Sequence, residues 1–185
     1  MILVVAATEF EAALVDGAAV RAAVCGIGPV EAALATAREL AEERPDAVLQ
    51  IGIAGARSLP HGSLALGSEA VYCDVLDPAA GFPRVDRVAP DAGLLAAARR
   101  ALPEAHVLPI GTTARVGGAP MWEVEAMEGF AVLRAAALAG VPALELRSVS
   151  NAVADEDRAL WRTEEALDAL RAALPRVLEE LARGA

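Results

Sequence analysis

The sequence predicts an α/β fold in which strands and helices alternate around a largely parallel or mixed sheet. Three observations carry that expectation. Short apolar runs of strand length recur, as in Ile2–Ala6, Val20–Val24 and Ala47–Ile51. Helical stretches of ten or more residues stand between them. The connections are short and rich in Gly and Pro, as alternating βα units require.

The elements follow in order. Ile2 to Ala6 reads as a buried first strand and Val20 to Val24 as a second. Gly26-Ile27-Gly28-Pro29 turns into a helix from about Val30 to Glu43, with Gly permitting a tight backbone and Pro fitting the first helical turn. Pro45-Asp46 ends that helix, and Ala47 to Ile51 is a central strand leading to a loop at Gly52-Ile53-Ala54-Gly55-Ala56. Ser68 to Val75 reads as a strand, and Leu76 to Pro90, rich in Pro, Gly and Asp, as the longest loop. Ala92 to Leu102 is a helix and Ala105 to Ile110 a strand. Gly111 to Pro120 is loop-like, with a short strand at Thr113 to Val116. A buried helix carrying Glu128 at its start then precedes a strand at Ala143 to Val149. Thr163 to Arg183 forms a last amphipathic helix, with a Thr cap and acids in its first turn. Neither an internal repeat nor a linker composition interrupts the pattern, so one domain over residues 1–185 is expected.

Composition narrows the function. Hydrophobic residues make up 56% of the 185, too many for a disordered chain. No apolar run reaches the roughly 20 residues that span a bilayer, and the N-terminus lacks the basic flank of a signal peptide, so no membrane partner is expected. The net charge of −10 argues against nucleic acid, whose binders carry basic patches. The two cysteines, Cys25 and Cys73, form no CxxC, which fits a reducing cytoplasm and implies no disulfide framework or metal cluster.

Two polar islands stand out in apolar surroundings: Glu125-Ala126-Met127-Glu128-Gly129 and Arg147-Ser148-Val149-Ser150-Asn151. One puts a carboxylate at a helix start and the other a Ser-Asn pair at a strand end, the edge where α/β folds bind ligands. If the strands are parallel, the loops after them converge, and Glu11, Glu128 and Asn151 surround one pocket. The Gly26-x-Gly28 pair lacks the third glycine of a dinucleotide fingerprint. Walker A, HExxH and GxSxG motifs are absent from the sequence.

The order Ala7-x-Glu9-x-Glu11, Gly26-Ile27-Gly28, Gly52-x-Ala54-Gly55, Met127-Glu128 and Ser150-Asn151 resembles the nucleoside phosphorylase/nucleosidase superfamily, over nearly the whole chain. Within it, Glu125 to Gly129, Arg147 to Asn151 and Trp161 are most similar to the futalosine hydrolases. The resemblance implies a central twisted mixed β-sheet flanked by helices, a small nucleoside as substrate and a homo-oligomer, dimer or larger. It also implies cleavage of an N-ribosidic bond with no metal or organic cofactor. Hydrolysis of futalosine to hypoxanthine and dehypoxanthine futalosine, a step in menaquinone biosynthesis, is the specific expectation. A 5′-methylthioadenosine/S-adenosylhomocysteine nucleosidase and a non-catalytic nucleoside-binding protein are the alternatives.

The resemblance also assigns roles. Glu11 matches the acid that activates water, as a carboxylate near a ribosyl C1′ can; a helix N-terminal Glu held by the dipole is the plainer alternative. Glu9 reads as structural. Glu128 matches the acid that grips the ribose hydroxyls, with Met127 packing on the sugar or simply in the core. Ala54, Gly55 and Ser150 complete the expected substrate contacts. Asn151 stands where adenine-selective relatives carry Asp. Its amide can donate to O6 of hypoxanthine and accept from N7–H of the departing base, and the alternative for it is a helix cap. Ile53 replaces a Ser of the methylthioadenosine nucleosidases. Phosphorylases carry a phosphate-binding Arg where this chain has the acids of Thr8-Glu9-Phe10-Glu11, which would repel phosphate. Phe82, Trp122 and Trp161 are candidates to stack on an aromatic group. Arg84, Arg87 and Arg115 are candidates to pair with the benzoate of futalosine, or plain solvated surface. His61 and His106 lack convincing partners.

Overall fold

The computed structural model describes residues 1–17, 19–75, 84–155 and 157–184. Strands and helices alternate as β1 (Ile2–Ala6), α1 (Glu9–Ala12), β2 (Val20–Val24), α2 (Pro29–Glu42), β3 (Ala47–Ala56), β4 (Leu64–Tyr72), β5 (Arg87–Val88), α3 (Ala92–Ala101), β6 (His106–Thr112), β7 (Val124–Ala126), α4 (Gly129–Ala139), β8 (Ala143–Ala152) and α5 (Thr163–Gly184), with a 3₁₀ turn at Arg158–Leu160. The fold is the expected α/β class with a mixed sheet.

Local chemistry sets the helix ends. Gly28, at φ +93°, turns the chain into α2, and Pro29 occupies the first helical turn. The Asp91 carboxylate accepts from the Leu94 N–H at 2.9 Å and caps α3. Gly140 closes α4 in the left-handed conformation.

The eight strands run in the order β2-β1-β3-β7-β6-β4-β5, with β8 pairing both β3 and β4. β1 is parallel to β2 and β3, β3 to β8, and β6 to β4 and β7. β7 meets β3 antiparallel, and β8 meets β4 antiparallel. The sheet therefore closes through β3, β7, β6, β4 and β8, a feature that alternation alone did not predict. Ala54, Ala56, Ala65, Ile110, Val124, Ala126 and Val149 fill a small core of their own among these strands.

Alternation along β1 divides the rest. Ile2, Val4 and Ala6 pack with α3 and α5, while Leu3 and Val5 pack with α4 and α2. The α5 stripe Ala166, Leu170, Ala173, Leu174, Val177 and Leu181 recurs at three and four residues and is buried along its length.

Several boundaries differ from expectation. Residues 52–56 are not a loop but the second half of β3, and Ser150 and Asn151 lie within β8. β4 spans Leu64–Tyr72, beginning and ending earlier than expected. The short strand is Val124–Ala126 rather than Thr113–Val116. At three residues it is too short to display a period, and β3 and β6 hold it in place. Of the expected long loop, residues 76–83 lie outside the described residues, and Arg87–Val88 pairs with β4.

Candidate active site

The C-terminal ends of β1, β3 and β8 and the starts of α4 and α5 enclose a cavity of about 430 Å³. Glu11, Ala54, Gly55, Met127, Glu128, Ser150 and Asn151 all line it. Residues up to 140 positions apart in sequence thus meet at one sheet edge, which is what parallel β1, β3 and β8 produce.

Glu11 is buried and fully engaged on one side. Its Oε2 accepts from the Thr8 N–H at 3.0 Å and from the Thr8 hydroxyl at 2.9 Å; the first of these bonds and the Glu11 N–H donating to the Thr8 hydroxyl oxygen at 3.4 Å are the two halves of a capping box on α1. Among the described residues, its Oε1 accepts only from the Ile53 N–H, at 3.0 Å. The helix-start reading of Glu11 therefore holds, and the same carboxylate still presents one unfilled acceptor position on Oε1 to the cavity. Glu9 is exposed.

Glu128 caps no backbone group of α4 with its side chain. Its Oε1 accepts from the Gly28 N–H at 3.0 Å, and its Oε2 from Arg147 Nη2 at 3.2 Å. The Gly26-Ile27-Gly28 turn thus contributes a backbone donor to this carboxylate. Each Glu128 oxygen keeps one acceptor position, a pair suited to a cis-diol.

Arg147 is the residue whose position the sequence did not foretell. It is 1% exposed. Its Nε donates to Glu145 Oε1 at 2.9 Å, and its Nη1 to the Ile53 carbonyl at 3.3 Å. Charges at positions 145 and 147, two residues apart on one strand, face the same way, and that spacing was the available signal. Room for the cluster comes from glycines. A Cβ on Gly52 would lie 2.3 Å from Arg147 Nη1 and 2.9 Å from Glu11 Oε1, and one on Gly129 would lie 2.1 Å from Glu145 Oε2. Burial raises the Glu145 carboxyl above its ordinary range, against the pull of Arg147.

Asn151 reaches the cavity because β8 bulges. Ala54 pairs with Val149 and Gly55 with Asn151, so Ser150 is an extra residue between them. The bulge re-aims the strand so that two consecutive side chains line the cavity. A Cβ on Gly55 would come within 3.0 Å of Asn151 Nδ2, so its absence gives the amide space. Asn151 Nδ2 donates to the Ala152 carbonyl at 2.9 Å. The Ser150 hydroxyl lies 2.8 Å from Asn151 Oδ1 and 3.2 Å from the Ala54 carbonyl, so its single proton serves one of them at a time. The amide retains one N–H and one lone pair for a ligand.

Other residues sort by position. Glu125 lines the cavity, but its oxygens accept from the backbone of Gly117 and Ala119 and hold that loop. Burial, and secondarily Glu128, pushes the Cys25 thiol up to about 12, so it stays neutral and is no nucleophile. Of the aromatic candidates, Trp161 lines the cavity, Trp122 does not, and Phe82 lies outside the described residues. Arg84, Arg87 and Arg115 do not line it, and Arg87 pairs with Glu69 at 2.6 Å. His61 and His106 are exposed and lie away from the cavity. Phe10, Ile27 and Arg158 line it and went unassigned in the sequence. Among the described residues no group of three or more His, Cys, Asp or Glu is placed to hold a metal ion, and no helix is long and apolar enough to cross a membrane.

Comparison with known proteins shows the family of the chain. A model of the phosphorylase superfamily matches residues 4–183. The futalosine hydrolase of Streptomyces coelicolor is 37% identical over 170 residues, covering 78% of this chain and 72% of that protein. That of Thermus thermophilus is 36% identical, covering 84% of this chain and 79% of its own length. Among solved structures, Helicobacter pylori futalosine hydrolase superposes with a TM-score of 0.84 at 19% identity, covering 97% of each chain. The methylthioadenosine/S-adenosylhomocysteine nucleosidase of Neisseria meningitidis in complex with methylthio-immucillin-A superposes with a TM-score of 0.82 at 25% identity, covering 100% of this chain and 99% of that one. With a family model spanning nearly all its length and two relatives above a third identical, the chain belongs to the phosphorylase superfamily, in the family of the futalosine hydrolases.

Proposed function

We propose that this chain hydrolyses the N-ribosidic bond of futalosine, releasing hypoxanthine and leaving dehypoxanthine futalosine, as a step of menaquinone biosynthesis in the cytoplasm. The observation that carries the reading is the convergence of Glu11, Glu128 and the Asn151 amide on one cavity, in a chain whose relatives are futalosine hydrolases.

The chemistry follows from the unfilled positions. Glu128 takes the ribose 2′- and 3′-hydroxyls on its two free acceptor sites, held in place by Gly28 and Arg147. Met127 packs beside the sugar. Ala54 and Gly55 form the wall against which Asn151 sits, and Ser150 fixes the amide. As C1′–N9 stretches, positive charge builds on the sugar, and the Glu11 and Glu128 carboxylates stabilise it. Glu11 Oε1, the oxygen with one protein donor, orients and deprotonates the attacking water. The Asn151 N–H donates to O6 of the leaving base and its oxygen accepts from N7–H. A neutral amide is a poor general acid, so the N7 proton comes from solvent.

Incubation with futalosine, inosine and 5′-methylthioadenosine, followed by separation of the free bases, tests this reading. Hypoxanthine from futalosine in the absence of phosphate is the expected result. Adenine from methylthioadenosine with no hypoxanthine from futalosine would overturn it. Asn151→Asp replaces the proposed donor to O6 with an acceptor, so hypoxanthine release should fall by about a hundredfold or more; an unchanged rate would remove Asn151 from base recognition.

We further propose a homo-oligomer of two or more copies. Phe10 and Ile27 line the cavity yet are exposed, and the exposed Val30 and Leu34 stand one turn apart on α2.

A further inference from the structure

We propose that Arg158 and Trp161 form the subsite that reads an aryl carboxylate carried on the 5′ side of the nucleoside, an inference that rests on the futalosine reading above. It places the specificity for the substrate's far end on the segment between β8 and α5, not on the arginines of the loops around β5 and β6.

The cavity has a charge problem for an anionic ligand. Among the described residues, Glu11, Glu125, Glu128 and Glu164 line it, against two cations, Arg147 and Arg158. Arg147 is spent on Glu145, Glu128 and the Ile53 carbonyl. Arg158 is not. Among the described residues its side chain has no ion pair and no hydrogen bond, and none joins it to Glu164. It lies over the face of Trp161, its guanidinium carbon 5.4 Å from the ring centroid. An exposed guanidinium stacked on an indole keeps its planar fork of donors open, the geometry that takes a carboxylate through two parallel hydrogen bonds.

The segment is built to hold that pair in place. The Trp161 indole N–H donates to the Asp155 carbonyl at 3.1 Å, and the Trp161 backbone N–H to the Arg158 carbonyl at 3.1 Å. The Asp157 carboxylate accepts from the Ala159 N–H at 2.9 Å, which starts the 3₁₀ turn. The next residue, Arg162, donates its backbone N–H to the Ser150 carbonyl at 2.7 Å. That bond ties the end of the segment to the strand residue beside Asn151, and so fixes the distance from the base reader to the Arg–Trp pair. Phe10, Ile27 and Leu167 add apolar surface to the same cavity, suited to an aromatic ring whose carboxylate reaches Arg158.

Steady-state kinetics on Arg158→Met, Arg158→Lys and Trp161→Leu separate this from a merely structural role. Each variant is compared on futalosine, on futalosine methyl ester, and through the Ki of inosine as a competitor, since inosine shares base and ribose but lacks the aryl carboxylate. Arg158→Met should lower kcat/KM for futalosine about tenfold to a hundredfold, through KM. It should leave the methyl ester and the inosine Ki unchanged, and Arg158→Lys should recover part of the loss. Trp161→Leu should weaken acid and ester alike. An Arg158→Met enzyme with wild-type kcat/KM for futalosine, or with equal losses on the acid, the ester and inosine, would overturn the subsite. A wild-type protein that releases no hypoxanthine from futalosine would instead overturn the proposed function, and this assignment with it.

Discussion

Glu11→Gln should lower kcat on futalosine by about 10²- to 10⁴-fold, the span that a positioned general base contributes. The substitution keeps size and removes the charge. The oxygen that faces the cavity, Oε1, has a single donor among the described residues, the Ile53 N–H. It is therefore the atom with capacity to take a proton from water. The difficulty is that Glu11 also completes the capping box of α1, and an amide nitrogen facing Thr8 would lose the bond from its N–H. A lost cap costs about 1 kcal/mol of stability, yet it leaves the chemistry of folded molecules intact. Single-turnover rates on folded protein, together with the Kd for hypoxanthine, divide the two roles. The expected outcome is a collapsed single-turnover rate with hypoxanthine affinity held within a few-fold. Full turnover with a modest loss of thermal stability would confine Glu11 to capping.

The site was legible where function and regular structure coincide. Glu11 follows β1, Glu128 opens α4 and Asn151 stands near the C-terminal end of β8, and parallel pairing of β1, β3 and β8 brings them together. It was illegible where glycine serves side chains rather than backbone. Gly52 and Gly55 made residues 52–56 look like a loop, because glycine in a sequence ordinarily marks a turn. Neither has a positive φ. They sit in an extended strand because Arg147, Glu11 and Asn151 occupy the space their side chains would need. The bulge at Ser150 is likewise invisible in sequence, since it depends on the register between β3 and β8. Closure of the sheet through β7 rests on contacts made by three residues. Arg158 escaped notice for a related reason: a 3₁₀ turn has no hydrophobic period, and only the packing of the following segment brings it to the cavity.

Arg147→Met should destabilise the protein by about 3–5 kcal/mol at neutral pH, the cost of stripping the counterion from buried charge. That is a large share of the roughly 5–15 kcal/mol that holds a typical domain folded. Methionine roughly matches the stem of arginine, so the loss is electrostatic more than steric. What remains is Glu145 and Glu128, at 0% and 3% exposure, with no cation between them. Burial already lifts the Glu145 carboxyl above its ordinary 4.5, and Arg147 opposes that lift. Without the arginine the folded-state value climbs further. A carboxyl whose folded pKa lies above its unfolded one favours the fold most at pH below the unfolded value, and that contribution fades as pH rises through the folded one. The deficit of the variant relative to wild type should therefore be largest near pH 8 and shrink on acidification toward pH 5. Urea unfolding of both proteins at the two pH values measures it. Adding Glu145→Gln to Arg147→Met removes the orphaned charge and should restore part of the stability at pH 8, while leaving hydrolysis impaired because Glu128 still lacks the donor that held it. A deficit of equal size at both pH values, or a double variant no more stable than the single one, would mean that Arg147 supports the fold by packing alone.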